Sequence, residues 1–179
     1  TGEKKMIKIG INGLGTIGRA LFRQCLDLND ITVKVINEIN PDIKNIAYLL
    51  NYDSTYGKNS RPVTPQSNSI KLDSNEEISI LNFKKINEVP WADFDVDIVI
   101  ECSGVLSNFK LASEFQNKLP NILFSYAHPD METIIMGANN GNFDKKKKLF
   151  SASICDSVSL APLYNLLNNK YSIISGHLI

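Results

Sequence analysis

Apolar residues recur along this chain with two spacings, and the switches between them outline a fold. Ile7-Lys8-Ile9-Gly10-Ile11-Asn12 is a short run rich in β-branched residues, which predicts a buried strand. Beyond Gly13-Leu14-Gly15-Thr16-Ile17-Gly18-Arg19, apolar positions at Ala20, Leu21, Cys25 and Leu28 take up helical spacing. A second strand, Ile31 to Ile36, closes a βαβ unit. Pro41-Asp42 opens a helix over Ile43 to Asn51, with Ile46, Leu49 and Leu50 on one face. Tyr52 to Gly57 reads as a polar loop, and short strands are predicted at Ser69 to Leu72 and Ile78 to Leu81. Val96 to Cys102 is another buried strand, after which Ser107 is placed to cap a helix reaching about Lys118. Strands at Asn121 to Ser125, Thr133 to Gly137 and Leu149 to Ala152 complete the sheet, and Leu160 to Asn169 is helical. Strands alternating with helices predict an α/β fold with a mostly parallel, doubly wound sheet.

Composition narrows the function classes. A chain of 179 residues, 43% hydrophobic, has material for a real core and is one domain or part of a larger protein. A formal net charge of zero argues against a nucleic-acid partner or an acidic membrane held by bulk electrostatics. Cys25, Cys102 and Cys155 are odd in number and far apart, which fits neither a disulfide framework nor zinc-ligand spacing and predicts a reducing, cytoplasmic setting. No leader pattern and no membrane-length apolar run is present in these residues. The run Lys145 to Lys148 reads as a solvated turn. His128, beside Pro129, either meets a cofactor or faces solvent.

The chemistry concentrates where the first strand meets the first helix. Gly13 suits a tight turn, Gly15 lets backbone approach a pyrophosphate, and Gly18 lets the helix lie close on the strand. The free N–H groups at the helix start, over Thr16 and Ile17, suit phosphate. Glu38 follows Gly18 by twenty residues and can accept hydrogen bonds from an adenosine ribose. With Asn12 ending one strand and Ser103-Gly104 following another, the pattern predicts a dinucleotide across the strand tips. Ile39-Asn40-Pro41 brings no cation after Glu38, so NAD is favoured over NADP.

A second candidate is Cys155, in Ser151-Ala152-Ser153-Ile154-Cys155-Asp156-Ser157. A thiol at a helix N-terminus sits in a field that favours thiolate; Asp156 opposes it, because an adjacent carboxylate disfavours a second negative charge. By itself Cys155 reads as an ordinary small residue. At this point the chain resembles the glyceraldehyde-3-phosphate dehydrogenase family. The matching stretches are Lys8 to Arg19, Val35 to Glu38, Ala47 to Gly57, Asp97 to Gly104, Met136 to Asn139 and Ser151 to Pro162, in the family's order. Asn37-Glu38, Val89-Pro90-Trp91, Leu123-Phe124-Ser125 and Tyr171 to Gly176 resemble its erythrose-4-phosphate dehydrogenase branch.

The resemblance implies an NAD-binding Rossmann domain over 1–153, then, over 154–179, the nucleophile helix and the start of a catalytic domain. It implies that Asn12, Gly13, Gly15, Thr16, Ile17, Gly18, Glu38, Ser103, Gly104 and Ser125 lie at or near NAD. It also implies that Cys155 attacks a phosphosugar aldehyde, that a histidine takes the proton, and that the chains form homo-oligomers. The family's histidine falls beyond Ile179; His177 aligns with an apolar position instead. Ser172 to Ile179 reads as the first strand of the second domain, an apolar edge open to association. The chain departs from the family at Ile154-Cys155-Asp156-Ser157-Val158, where Ser-Cys-Thr-Thr-Asn is usual, and at Thr16 and Leu106, where Arg and an aromatic are usual. Three readings stay open: an aldehyde dehydrogenase domain that turns over poorly alone, a non-catalytic homologue that keeps NAD affinity, and a semialdehyde dehydrogenase, which Tyr52 to Gly57 argues against.

Overall fold

The structure, a computed structural model, describes residues 6–177. In chain order its elements are β1 (Ile7–Asn12), α1 (Thr16–Leu26), β2 (Ile31–Asn37), α2 (Ile43–Asn51), β3 (Tyr52–Asp53), β4 (Gly57–Lys58), β5 (Val63–Pro65), β6 (Ser69–Leu72) and β7 (Glu77–Leu81). After 3-10 turns at Ile86–Glu88 and Trp91–Phe94 come β8 (Ile98–Glu101), α3 (Ser107–Phe115), β9 (Asn121–Phe124), β10 (Glu132–Thr133), β11 (Leu149–Ser151) and α4 (Cys155–Tyr171). The main sheet runs β10-β11-β9-β8-β1-β2-β7-β6-β5. It is parallel from β10 to β7, and β6 runs opposite to the strands on both sides of it, β7 and β5. The expected α/β, mostly parallel sheet is therefore present.

Burial explains the layers. On one face Phe22 and Leu26 of α1 and Ile46 and Leu50 of α2 cover Ile9, Ile11 and Ile36. On the other, Trp91, Ala112 of α3 and Phe124 surround Val35, Val99 and Ile122. A buried Phe, Leu or Ile contributes about 1.5–3 kcal/mol each, so two such clusters hold the sheet between its helices. From β1 the chain steps to β2, reaches the border at β5 and returns through β6 to β7 beside β2, then crosses back to β8 on β1's other side. That reversal of direction opens a crevice between β1 and β8 at their carboxyl tips.

Several local expectations are corrected. α1 begins at Thr16, ahead of the apolar spacing, because the turn glycines lead directly into the helix. Ser107 caps nothing; α3 opens with the bonds Asn108 N–H to Val105 O and Phe109 N–H to Leu106 O, so Ser107 is already inside the helix. The polar loop at Tyr52–Gly57 folds as a small hairpin, with Asp53 Oδ1 accepting from the N–H groups of Thr55 and Tyr56 at 2.8 and 3.1 Å. The strand expected over Thr133–Gly137 shrinks to β10. Asn139 takes the Ile135 N–H at 2.7 Å and donates to Thr133 O at 2.8 Å, curling the chain out of the ladder. Lys147 pairs with Glu132 at 3.0 Å, and Lys148 closes on the carbonyls of Gln116 and Leu119. The strand expected from Ser172 is not formed over 172–177, and Leu178 and Ile179 lie outside the described residues. Ser172, with φ +55°, instead ends α4.

Candidate functional site

The crevice at the strand tips holds a cleft of about 250 Å³, bordered by Gly13, Gly15, Glu38, Phe83, Lys84 and Ser103 among others. A larger cavity, about 370 Å³, lies at the amino ends of β1 and β2 around Lys8, Cys25 and Lys34. Its three cations are already engaged: Lys8 with Asp95, Lys34 with Glu76 and Arg61 with Asp73.

The glycines of the first turn divide into two kinds. Gly13 has φ +93°, and a Cβ there would stand 2.6 Å from the Ser103 Cα. A Cβ on Gly18 would stand 2.1 Å from the Gly13 carbonyl oxygen, which fixes how closely α1 approaches the turn. The fold itself demands both. Gly15 is different: its φ is −63°, and a Cβ there would meet nothing nearer than the Cys102 carbonyl oxygen at 4.0 Å. No contact among the described residues requires glycine at this position. It stands at the N-cap of α1, with no side chain capping the helix, so first-turn N–H groups are left for an anion beside it.

Glu38 stands across the cleft. Its Oε2 accepts from the Leu14 N–H at 2.7 Å and its Oε1 from the Asn40 N–H at 3.0 Å. Each oxygen keeps a lone pair, so the carboxylate can also accept from a diol. Lys84 lines the same cleft, so the absence of a cation directly after Glu38 in sequence does not mean that none is near in space. The side-chain carboxylate, rather than a missing cation, is what disfavours an added 2′-phosphate here.

Beneath the cleft lies Glu101, wholly buried. Its oxygens accept from Asn12 Nδ2, from Asn108 Nδ2 at 3.0 Å, from the Ser103 N–H at 2.7 Å and from the Ser103 hydroxyl. Burial pushes this carboxyl above its ordinary value; the Ser103 hydroxyl, Asn12, the Ser103 N–H and Asn108 pull it back. Burial likewise pushes the Cys102 thiol up to about 12, against the Ser125 hydroxyl, which favours thiolate.

Of the residues singled out from sequence, Asn12, Gly13, Gly15, Glu38 and Ser103 border one cleft. Thr16, Ile17 and Gly18 form the helix start beside it, with Ile17 exposed. Gly104, φ +72°, turns the chain after Ser103. Ser125 ends up beside Cys102 at the tip of β9, outside the cleft lining. His128 stacks on Phe109, ring centroids 4.0 Å apart, and neighbours Asp130. Asn37, Phe83, Lys84, Glu101 and Asn108 were missed. A signal existed for two of them: Asn12, Asn37 and Glu101 are polar residues ending three apolar runs.

Cys155 is exposed at the start of α4, and its Sγ donates to Asp156 Oδ1 at 3.1 Å. Ser153, φ +71° and buried, turns the chain from β11 into this helix, with its N–H held by Ser151 Oγ at 2.9 Å. None of α4's residues is buried.

Residues 7–109 match the family model described as glyceraldehyde 3-phosphate dehydrogenase, NAD binding domain. Glyceraldehyde-3-phosphate dehydrogenase 1 of Bacillus cereus is 32% identical over 174 residues, 96% of this chain and 52% of its own length. Glyceraldehyde-3-phosphate dehydrogenase 2 of Staphylococcus epidermidis is 33% identical over 172 residues, 94% of this chain and 50% of its own. The chloroplastic enzyme GAPCP1 of Arabidopsis thaliana is 30% identical over 170 residues, 94% and 40%. The chain thus spans about half the length of the curated relatives it matches. With a doubly wound sheet, a glycine turn at its switch point and an acid at the next strand tip, the chain belongs to the glyceraldehyde-3-phosphate dehydrogenase family and carries its NAD-binding domain.

Proposed function

We propose that this chain is the NAD-binding part of a dehydrogenase that oxidises a phosphosugar aldehyde, glyceraldehyde-3-phosphate or erythrose-4-phosphate. The observation that carries the reading is Gly15, a glycine the fold does not need, placed where phosphates would approach an uncapped helix start. In this reading Gly13, Gly15, Gly18 and the N–H groups of Thr16 and Ile17 cradle the pyrophosphate. Glu38 accepts from the adenosine ribose, and Asn12, Ser103, Gly104 and Ser125 support the cofactor side of the strand tips. When bound, NAD supplies the hydride acceptor.

The division at residue 153 follows from the same reading: 1–153 binds the coenzyme, and 154–179 carries the nucleophile toward a catalytic domain. Cys155, as thiolate, adds to the aldehyde carbon, and the oxygen takes up a proton to give a thiohemiacetal. The carbon-bound hydrogen leaves as hydride, for which NAD would be the acceptor, while the hydroxyl proton passes to a general base. This leaves a thioester that water or phosphate cleaves with release of the thiolate. Asn37-Glu38 and Val89-Pro90-Trp91 support erythrose-4-phosphate, while the names of the curated relatives support glyceraldehyde-3-phosphate. Association into homo-oligomers and a cytoplasmic setting, the latter suited to three free cysteines, belong to the same reading.

A second reading keeps the coenzyme and drops the chemistry. It is favoured by the Cys155 Sγ–Asp156 contact, which sets a carboxylate where an anionic substrate would otherwise be drawn in. Calorimetric titration with NAD tests what the two share, and binding is expected. An absence of heat with NAD, where the folded state is confirmed by circular dichroism, overturns both. The rate of Cys155 alkylation then separates them, with the buried Cys25 and Cys102 silent. A thiol no faster than free cysteine supports the non-catalytic reading, and a much faster one supports the enzyme.

A further inference from the structure

Asn12, Asn37 and Glu101 stand side by side at the tips of β1, β2 and β8, where strand register pairs Asn12 with both of the others. All three are buried, and their side chains are joined in series. Asn12 Nδ2 donates to Glu101 Oε2. Asn37 Nδ2 donates to Asn12 Oδ1 at 2.7 Å and to the Phe83 carbonyl at 2.9 Å, and the Phe83 N–H donates to Asn37 Oδ1 at 2.8 Å. The series therefore begins at one side of the crevice and ends on the Phe83–Lys84 segment that lines the cleft with Glu38.

A carboxamide can be turned end for end without changing its shape, so two asparagines in a row do not set the direction of their own hydrogen bonds. An ionised carboxylate only accepts. Asn12 must show Glu101 its NH2 and so shows Asn37 its oxygen. Asn37 must then show its NH2 to Asn12, which leaves its own oxygen for the Phe83 N–H. The Phe83 carbonyl and N–H impose the same direction on Asn37 from the other end, so the buried charge and the loop backbone agree on how both asparagines lie. Turning either asparagine around would set two donors or two acceptors face to face in a buried site, a costly arrangement.

We propose that Glu101 is a positioning residue for the adenosine half of the dinucleotide: acting through Asn12 and Asn37, its carboxylate holds the Phe83–Lys84 wall where the adenosine docks. The proposal rests on the NAD reading above, and the adenosine half is assigned because that wall adjoins Glu38. Glu101 touches no ligand in this arrangement; it works from below.

The test uses this chain, with ADP-ribose and NAD as ligands, calorimetry at about pH 8, well above the ordinary carboxylate range, and thermal melting to confirm folding. E101Q keeps the shape and removes the fixed direction. Its affinity for ADP-ribose should fall about tenfold. E101D keeps an acceptor-only carboxylate at the same place in the series. Its affinity for ADP-ribose should stay within about threefold of the starting chain. A loss from mere repacking would appear in both substitutions. A folded E101Q that binds ADP-ribose normally, or a folded E101D as weak as E101Q, overturns the proposal. Should neither fold, N37A decides the matter by cutting the series at β2: an about tenfold loss supports it and unchanged affinity overturns it. Failure of the unsubstituted chain to bind either ligand would instead strike the NAD reading, and this one with it.

Discussion

The strand tips and α4 carry the two halves of the proposed chemistry, and they are built in opposite ways. At the tips, Asn12, Asn37 and Glu101 are buried and each polar group meets a partner, while Gly13 and Gly18 are held at contact distance by backbone. α4 has no buried residue, and Leu163, Tyr164, Leu166 and Tyr171 are exposed. Cys155 contacts only its own neighbour Asp156 through its sulfur among the hydrogen bonds described. The coenzyme half is thus fixed by contacts within the described residues. The cysteine is aimed by the turn at Ser153 but is not enclosed.

That contrast can be broken in order of expected effect. G15V should leave the chain folded, since a Cβ there meets nothing nearer than 4.0 Å, with a loss of no more than about 1 kcal/mol for a poorer N-cap. Yet it should reduce NAD affinity more than about a hundredfold by filling the space where phosphates approach. Retained affinity in calorimetry would place the coenzyme elsewhere. G18A should do the reverse in kind: its Cβ would press on the Gly13 carbonyl and cost about 1–3 kcal/mol in urea unfolding. No stability loss would mean that α1 can lift off the turn freely.

A smaller effect comes from Glu101. Its folded pKa lies above its ordinary value of 4.5, so the native state binds this proton more tightly than the unfolded chain does. Its contribution to stability is present below about 4.5 and is lost as pH rises through the elevated folded value. The stability of the unsubstituted chain relative to E101Q should therefore decline across that window in denaturant titrations. A difference independent of pH would show that the hydrogen bonds to Glu101 cancel the effect of burial. Smallest of all, L166A on α4 should change stability by less than about 0.5 kcal/mol, since the side chain is 67% exposed. A large loss there would mean that the helix is covered after all.

The sequence was most legible where physics is local. β1 and α2 fall on the residues expected, because an apolar β-branched run and an Asp-capped amphipathic turn need no distant information. Asp42 accepts from the Asn45 N–H at 3.1 Å, as an N-cap should. The turn at Gly13–Gly18 was legible for the same reason. What failed depended on tertiary placement. Ile134, Ile135 and Met136 look like strand, yet only Ile134 keeps a bond to β11, through the Ser151 carbonyl, while Asn139 takes the Ile135 N–H. Phe83 and Lys84 reach the cleft only because β7 pairs with β2, a pairing no spacing in the chain announces. Glu101 was passed over because the pattern around it is apolar, and its partners come from β1 and α3.

The margins of the main sheet have a consequence of their own. One ends in β5, three residues finishing at Pro65, and the other in β10, only two residues long. A foreign strand seeking to extend the sheet would find little backbone to grip and, at Pro65, no N–H at all. Within the described residues, neither border of this sheet offers a long strand for another copy to pair with.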